Sequence, residues 1–500
     1  MYYLNKIMTM KKNIFKGFLV ATLCLGMAGC GNSFLDTDYY RGIDVDGGLN
    51  SAQNVSIALT GTYNAFFDRY FAGNYATTIG DIPTDLSYWN SLTGHWDGIY
   101  RYSITSNDTY LNYIWEYGYK VADYSARVIK AGHELYGSAS DEDKELLSVC
   151  MAEAYGLRAY AYLSLVNVFG HQVKVNGNDF SDRIGIVVSE EPIAALTNVE
   201  RSSVGKAYEQ IVSDLKASIE MFNQAGGDRG DKCYMNLAAA EGLLARVYLY
   251  LENWQEARNY AAKALEDSDV ASLAYTSDSY YNLYKAGGTS GNESFFYLDI
   301  NSNQNWSANS CGTLWTTYNF SPSPKLLAMY GENDVRKSIM AMGNGSTESI
   351  PVYAGGKFGY FGSNPAYATN YLVNAPEMYL IMAEADLKLG KLDQAKNSLL
   401  VVAKRNQDIT SVADLPADAG QLYSFLKDER ARELFQEGLR LWDLRRWGDP
   451  VQVEAFNSPN IAYRYNNYNI SNLVYPIPES EINANWGVKQ TDGWADTMPK

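Results

Sequence analysis

The chain has 500 residues and is strongly acidic, with 57 acidic side chains against 41 basic ones and a formal net charge of -16. Such a surface repels phosphates, which excludes nucleic acid as a partner and is compatible with a neutral ligand. Hydrophobic residues make up 46% and charged residues 20% of the sequence, a balance that excludes both a disordered chain and a protein with many membrane spans.

The amino terminus has the pattern of a secretory signal. A Lys-Lys pair precedes an apolar run, residues 17–28, which is shorter than the roughly 20 residues needed to cross a bilayer. The run ends in small residues before Cys30 and resembles the lipobox of bacterial lipoproteins. We therefore predict that residues 1–29 are a signal peptide, with Met10 as an alternative start, and that Cys30 is lipidated. The alternative is an ordinary signal peptide with a chance cysteine.

The other cysteines form no metal or disulfide pattern. Besides Cys24 in the signal and Cys30, the chain has Cys150, Cys233 and Cys311, an odd number at spacings unlike those of metal ligands. Cys150 lies on a helical stripe, which predicts a small buried side chain. The three histidines are scattered, and the sequence has no HExxH, phosphate-loop or nucleophile-elbow motif. We therefore expect no metal site and no cofactor.

Helical periodicity dominates the chain. The clearest stripe consists of Leu147, Met151, Ala154, Leu157, Ala161, Leu165 and Val168, spaced by three or four positions. Further helices are predicted at residues 51–70, 111–131, 204–222, 237–251, 254–265, 371–389, 392–404 and 422–447. The expected fold is mostly α, with residues 30–500 forming a single body and the helical scaffold lying at residues 110–266 and 371–447.

Two tracts interrupt this scaffold, at residues 73–107 and 268–368. Helical periodicity fades there, while Gly, Ser, Asn, Tyr and Trp become frequent. We predict long irregular loops and short hairpins that lie over the helices and form a ligand-binding face.

An internal repeat supports a scaffold of helical hairpins. The first copy is Ala245, Leu249, Leu251, Trp254 and Ala257, and the second, at identical spacing, is Ala383, Leu387, Leu389, Leu392 and Ala395. Each copy is broken by a polar turn. The pattern resembles the tetratricopeptide helix–turn–helix unit, and the alternative is two ordinary helical hairpins.

The carboxyl half carries the most specific motifs. They read EMYLIMAEA at 377–385, ERARELFQEGLRLWDLRRW at 429–447 and YPIPESEI at 475–482. The amino half adds FLD after Cys30 and a segment from Arg158 to Gly170. In this order the motifs resemble the RagB/SusD family of outer-membrane nutrient-binding lipoproteins. The family usually has a proline soon after the glycine that corresponds to Gly170, and here it is missing.

The long motif of residues 429–447 has its own physical interpretation. Glu429, Glu433 and Glu437 are spaced by four, and Arg432 and Arg440 follow Glu429 and Glu437 by three, which permits ion pairs on a helix. Paired carboxylates are typical of glycosidases. A neighbouring arginine should lower the pKa of each carboxyl, however, whereas a general acid needs a raised one. We therefore predict a structural charge network.

Candidate ligand-binding residues lie in the two irregular tracts. Sugar rings stack on Trp and Tyr, and their hydroxyls need polar side chains at the edge of the ring. The candidates are Trp306, which Asn and Ser flank on both sides, then Trp89 with Asn90, and further Trp96, Trp315 and Tyr281. The alternative is that these aromatic residues pack the loops onto the helices.

The resemblance implies a function without catalysis. It implies a lipid-anchored protein on the outer face of the outer membrane that binds an oligosaccharide or polysaccharide and delivers it to a TonB-dependent transporter. The same family includes peptide-binding members, and the aromatic, Asn-rich loops favour sugar over peptide. Two alternatives of other classes are a surface glycoside hydrolase and a tetratricopeptide scaffold that binds only protein.

Overall fold

A computed structural model describes residues 48–89, 93–285, 292–318, 320–340, 355–358, 364–453 and 465–499. One compact unit begins at Ser51 and continues to the carboxyl terminus. Within the described residues, every helix is either too short or too polar to cross a membrane. The predicted signal peptide and the lipidation site at Cys30 lie outside the described residues.

The described part of the chain is mostly helical. The helices of the first half are α1 Ala52–Phe67, α2 Tyr75–Thr78, α3 Asp97–Tyr100, α4 Thr109–Tyr136, α5 Asp141–Phe169, α6 Val204–Ala225, α7 Leu237–Tyr250 and α8 Trp254–Glu266. Those of the second half are α9 Ser277–Lys285, α10 Cys311–Thr313, α11 Pro324–Met329, α12 Ala375–Lys388, α13 Leu392–Ala403, α14 Ala419–Leu434, α15 Arg440–Trp447 and α16 Glu479–Ala484.

Short strands pair in four antiparallel couples. The strands are β1 Ser87–Trp89, β2 Lys174–Val175, β3 Asn178–Asp179, β4 Ser294–Leu298, β5 Phe320–Pro322, β6 Asn370–Asn374, β7 Pro450–Val453 and β8 Tyr465–Asn469. The pairs are β1 with β5, β2 with β3, β4 with β6, and β7 with β8. The β1–β5 pair therefore joins the two irregular tracts, whereas the sequence predicted only local hairpins within them.

Polar residues fix the starts of the long helices. Ser140 accepts a hydrogen bond from the amide of Asp143 at 3.1 Å at the start of α5, and Asp108 accepts from the amides of Tyr110 and Leu111 at the start of α4. These caps satisfy amide groups that have no partner inside the helix. The predicted start of the α5 stripe is thereby confirmed, and Cys150 on that stripe is buried and free.

Both copies of the internal repeat form helical hairpins. Helices α7 and α8 make the first hairpin, α12 and α13 make the second, and α8 packs against α12. A buried ion pair between Arg246 of α7 and Glu377 of α12, with an N–O distance of 2.7 Å, joins the two hairpins. The mostly α scaffold of helical hairpins is confirmed.

Two of the predicted helices differ from the structure. Residues 370–374 form β6 instead of the start of a helix. Their backbone pairs with that of β4, and their side chains are buried. The helix predicted at 422–447 is broken between α14 and α15. Gln436 and Gly438 there have φ angles of 67° and 75°, which end a right-handed helix. A side chain at Gly438 would collide with the backbone of Thr77, so the break packs tightly against the amino-terminal tract.

Residues that are distant in the sequence form hydrogen bonds with the carboxyl-terminal end of the long helix α5. The guanidinium of Arg445 donates to the carbonyl oxygens of Asn167, at 2.5 Å, and Gly170, at 2.9 Å. The amide of Tyr475 donates to the carbonyl of Val168 at 3.2 Å. Carbonyls at the end of a helix have no partner inside it, so residues from the carboxyl-terminal region satisfy this helix end.

Candidate functional site

The conspicuous charge network of the carboxyl half is buried. The charge network, as the term is used from this point on, consists of Arg336, Arg405, Asp334, Glu293, Glu429 and Glu433. Arg336 contacts Asp334 at 2.8 Å, Glu429 at 2.7 Å and Glu433 at 3.0 Å. Arg405 contacts Glu433 at 2.9 Å and also pairs with Glu293. Every one of these residues is at most 7% exposed, so the network holds the fold together and offers no open surface to a ligand.

Two carboxyls of the long motif, those of Glu429 and Glu437, have pKa values shifted in opposite directions. Burial tends to raise the pKa of Glu429, but Arg336 and Arg432 outweigh it and bring the pKa to about 2. The expected pairing of Arg432 with Glu429 is confirmed at 2.6 Å. The lowered pKa predicted for Glu437 is wrong, because burial raises it although Lys357 acts in the opposite direction.

The predicted pairing of Arg440 with Glu437 is also wrong. Helix α14 ends at Leu434 and α15 begins at Arg440, so Glu437 lies in the break and the two side chains do not share a helix face. Arg440 instead makes two hydrogen bonds of 2.9 Å to Asp85 in the first irregular tract. Glu437 pairs with Lys357 in the second tract. Both ion pairs therefore tie the long motif to the irregular tracts.

Five aromatic side chains form a partly exposed surface, which we call the aromatic face. Its members are Phe67, Tyr70, Tyr113, Tyr117 and Trp306, all half-buried. The ring of Trp306 lies 4.6 Å from that of Phe67, measured between centroids. Tyr70 stacks on Tyr113 at 3.8 Å with an interplanar angle of 14°, and its ring lies 5.1 Å from Tyr117. The two clusters are Trp306 with Phe67 and Tyr70 with Tyr113 and Tyr117, and Phe67 and Tyr70 are three residues apart in the chain.

Polar groups border the aromatic face. The guanidinium of Arg69 lies 4.6 Å from the ring centroid of Tyr70 and donates to its hydroxyl at 2.6 Å. The ammonium of Lys120 lies 4.8 Å from the ring centroid of Tyr117. On the side of Trp306, Gln304 is exposed and Asn305 is half-buried. Flat rings with such edges suit a ligand that has both apolar faces and hydroxyl groups.

The loop that carries Trp306 is held by its own polar residues. Asn305 donates to the carbonyl of Asn301 at 2.9 Å, and the amide of Trp306 donates to the hydroxyl of Ser310 at 3.2 Å. Asn74 donates to the carbonyl of Asn309 at 2.7 Å and fastens the loop to the first irregular tract. Asn and Ser here build the loop that presents Trp306, so the position of its ring is set before any ligand arrives.

Three of the predicted binding residues lie in the protein interior. Trp96 and Trp315 are each 1% exposed and Trp89 is 4% exposed. Trp96 stacks on Tyr110 with a centroid distance of 4.1 Å, and Trp315 packs against Phe435 at 5.3 Å. In this conformation their surroundings match the packing alternative, with little ring surface left for a ligand.

The remaining candidates are Tyr281, Asn90 and Cys30. Tyr281 is half-buried on α9, 5.7 Å from the ammonium of Lys285. It lies outside the aromatic face as defined here. Asn90 and Cys30 lie outside the described residues.

Sequence reasoning missed the tyrosine half of the face. Tyr113 and Tyr117 are four residues apart on α4 and therefore point to one side of that helix. This spacing can be seen in the sequence, but it lies in a predicted helix, outside the two irregular tracts where the ligand-binding residues were predicted. The contribution of Tyr70 had no comparable signal, because its place beside Tyr113 depends on how α1 packs against α4.

Two family models match this chain. The model of the SusD family matches residues 375–494, and a related SusD-like model, described as starch-binding and associating with the outer membrane, matches residues 33–249. Together they cover well over half of the chain. Among curated proteins, no relative matches this chain at a significant level.

Solved structures share the fold. A SusD superfamily protein from Bacteroides thetaiotaomicron is 22% identical, with a TM-score of 0.77 over 88% of this chain and 99% of that one. A SusD superfamily protein from Bacteroides vulgatus is 22% identical, with a TM-score of 0.77 over 89% of this chain and 99% of that one. A SusD-like carbohydrate binding protein from Bacteroides vulgatus is 19% identical, with a TM-score of 0.72 over 90% of this chain and 98% of that one.

Proposed function

Because this chain belongs to the SusD family, we propose that it is an outer-membrane lipoprotein that binds an oligosaccharide or polysaccharide and delivers it to a TonB-dependent transporter. The observation that carries the binding proposal is the aromatic face, where five half-buried rings form two clusters with polar groups at their edges. The SusD-like family model is described as starch-binding and associating with the outer membrane, and one structural neighbour is a carbohydrate binding protein. Both descriptions support a carbohydrate ligand.

The chemistry of the face fits a neutral sugar chain. The C–H faces of pyranose rings pack on aromatic rings, and several adjacent aromatic residues hold successive sugars along a chain. Arg69 and Asn305 offer hydrogen bonds at the edges. A neutral ligand also avoids repulsion by a protein with a net charge of -16.

Trp306 is the residue that we propose as the main stacking platform. It is half-buried, its loop is held by hydrogen bonds, and its ring extends the surface of Phe67. Tyr70 and Tyr117 would bind further sugar units of the same chain. Trp89, Trp96 and Trp315 would contribute by supporting the tracts around the face, and Asn90 and Tyr281 remain secondary candidates for contact with the ligand.

The test of this function is a glycan panel against the mature protein lacking residues 1–30, followed by calorimetry on the glycans that bind. We expect one class of oligosaccharide to bind and to remain intact after long incubation. Shortened products from pure protein would establish the hydrolase alternative. Binding of peptides that is lost in Trp306→Ala, with no response to any glycan, would establish the peptide alternative, and protein partners alone would indicate a scaffold.

The anchor is tested separately at Cys30. Acylation of its thiol would place the protein on the membrane, facing the cell exterior, where it meets the glycan and the transporter. Cys30→Ala should block incorporation of a labelled lipid precursor and leave the protein uncleaved. Cys233→Ala, at a half-buried free cysteine, is the matched control and should label normally. Unchanged labelling of Cys30→Ala would refute the anchor.

A further inference from the structure

A groove of about 720 Å³ lies on another side of α4. Its walls are α4, the irregular segment 187–199 and the carboxyl-terminal helix α16. Ala122, Ala126 and Ile193 supply apolar surface. The groove uses other positions of α4 than the aromatic face, which uses Tyr113 and Tyr117, so it forms a second surface.

The charges of the groove have one sign. Its lining contains the carboxylates of Glu116, Asp123, Glu191 and Glu481, and no Lys, Arg or His. Cations outside the lining offset two of them, because Asp123 pairs with Arg127 at 2.8 Å and Glu191 pairs with a lysine at 3.1 Å. The other two, Glu116 and Glu481, have no ion pair with any described residue.

Hydrogen bonds orient Glu481 without neutralising it. Its carboxylate accepts from the indole of Trp115 at 3.1 Å and from the side chain of Asn485 at 3.3 Å. Glu116 is exposed, and no described residue makes a hydrogen bond with its side chain. The groove thus presents two carboxylates that form no ion pair within the described part of the chain, which favours a cationic group of a ligand.

Two large apolar side chains stand beside the groove. Leu196 is 104% exposed and Trp486 is 78% exposed. Leu196 lies in a turn closed by a hydrogen bond from the amide of Thr197 to the carbonyl of Ala194, and its φ of 63° is unusual for leucine. Trp486 follows Asn485, which accepts a hydrogen bond from the amide of Val199 at 3.3 Å. This hydrogen bond brings the segment that carries Trp486 against segment 187–199, at the edge of the groove.

We propose that this surface docks an extended segment of a partner protein in which Lys or Arg alternates with apolar residues. The basic side chain would enter the groove beside Glu116 and Glu481, and the apolar residues would cover Leu196 and Trp486. A small cation would occupy only a small part of the groove and leave the protruding Leu196 in water, so a macromolecular segment fits the surface better. A second copy of this acidic chain would bring like charge to the groove.

The test is selection of short random peptides from a displayed library on the mature protein. Selected peptides should be enriched in Lys or Arg next to Leu, Ile or Phe. The double variant Glu116→Gln/Glu481→Gln should weaken their binding about tenfold or more, with less effect at high salt. Glu134→Gln, at an exposed carboxylate on the same helix outside the groove, is the matched control and should bind as the unaltered protein does. Equal binding by the double variant and the control would overturn the proposal.

A second variant tests the apolar part and excludes loss of folding. Leu196→Gly removes the protruding side chain and suits the positive φ, so peptide binding should fall several-fold while the melting temperature does not fall. Acidic or neutral selected peptides would overturn the proposal, and so would a stable dimer that loses its interface in this variant. Glycan affinity should stay unchanged in all these variants. Absence of any glycan binding alongside normal peptide binding would refute the proposed function alone.

Discussion

The charge network and the aromatic face are both clusters of side chains that suggest function. They differ in how much side-chain surface remains available to a ligand. Each member of the network is buried and paired with an opposite charge across 3.0 Å or less. The rings of the aromatic face contact one another but stay half-exposed. A group that is already satisfied by protein partners stabilises the fold, whereas a group with surface to spare can still gain energy from a ligand.

The same contrast separates the tryptophans. Trp315 lies among aromatic neighbours with 1% of its surface exposed, while Trp306 rests on Phe67 with part of its ring open. Both lie in the same irregular tract, where Asn305 and Ser307 flank Trp306 and Leu314 and Thr316 flank Trp315. Burial, and not residue type, therefore separates a tryptophan that packs the scaffold from the one that we propose as a binding residue. Substitutions test this separation.

The largest effect is expected from Arg336→Ala in the charge network. The substitution leaves the carboxylates of Asp334, Glu429 and Glu433 buried with fewer cations, which should lower the free energy of unfolding by about 3–5 kcal/mol. Arg127→Ala, in a half-buried ion pair between residues one helical turn apart on α4, is the matched control and should cost about 1 kcal/mol or less. Denaturant titration measures both. Similar small losses would contradict a structural role for the network.

A smaller effect that depends on pH is expected from Asp81→Asn. Burial raises the pKa of Asp81 from 3.8 to about 7, and the amide of Gly438 donates to its carboxyl at 2.7 Å. The folded protein therefore keeps a proton that the unfolded chain releases near pH 4. Stability from this group is present below about pH 4 and is lost as the pH rises to about 7.

The asparagine cannot ionise, so the variant should be more stable than the unaltered protein at pH 8 by about 2–4 kcal/mol. The two proteins should have similar stability at pH 4. Denaturant titrations at several pH values give both curves. Parallel curves across this range would show that Asp81 does not titrate in the window.

The aromatic face is tested by Trp306→Ala. Loss of one stacking ring should weaken binding of the glycan identified by the panel by about 1–3 kcal/mol, which is about ten- to a hundredfold in affinity. The unfolding free energy should change by only about 1 kcal/mol, because Trp306 is half-buried and its contacts with Phe67 and Gly73 leave part of the side chain open. Trp486→Ala, at a tryptophan that is 78% exposed, is the matched control and should leave glycan affinity unchanged. A large loss of stability with intact binding would place Trp306 among the scaffold residues.

Most of the scaffold could be predicted from the sequence because its signals are local. The stripe of α5, its cap at Ser140 and the two hairpins follow from spacing within short segments. The break between α14 and α15 could not be predicted, because the positive φ at Gln436 and Gly438 is imposed by packing against Thr77, far away in the chain. The pairing of Arg440 with Asp85 has the same origin.

The site was predicted less completely than the fold. Trp306 was chosen because polar neighbours left it little apolar surface to pack on, and the structure leaves it half-exposed. Trp89 was chosen because Asn90 lies beside it, yet it is 4% exposed, because Tyr100 and the guanidinium of Arg101 pack against its ring. Composition marks a tract as irregular, but only long-range contacts decide which of its rings remain at the surface.

The contacts of Arg445 have a consequence for how the protein is made. Helix α5 ends early in the chain, yet the carbonyls at its end find their donors in residues that the ribosome adds much later. Until then this helix end must rely on water, and the amino-terminal half stays incompletely closed while synthesis proceeds. The chain can therefore reach its final packing only after the carboxyl-terminal segment has been made. A chain that stops before Arg445 would keep α5 but leave its end exposed, a defect that quality-control proteases can recognise.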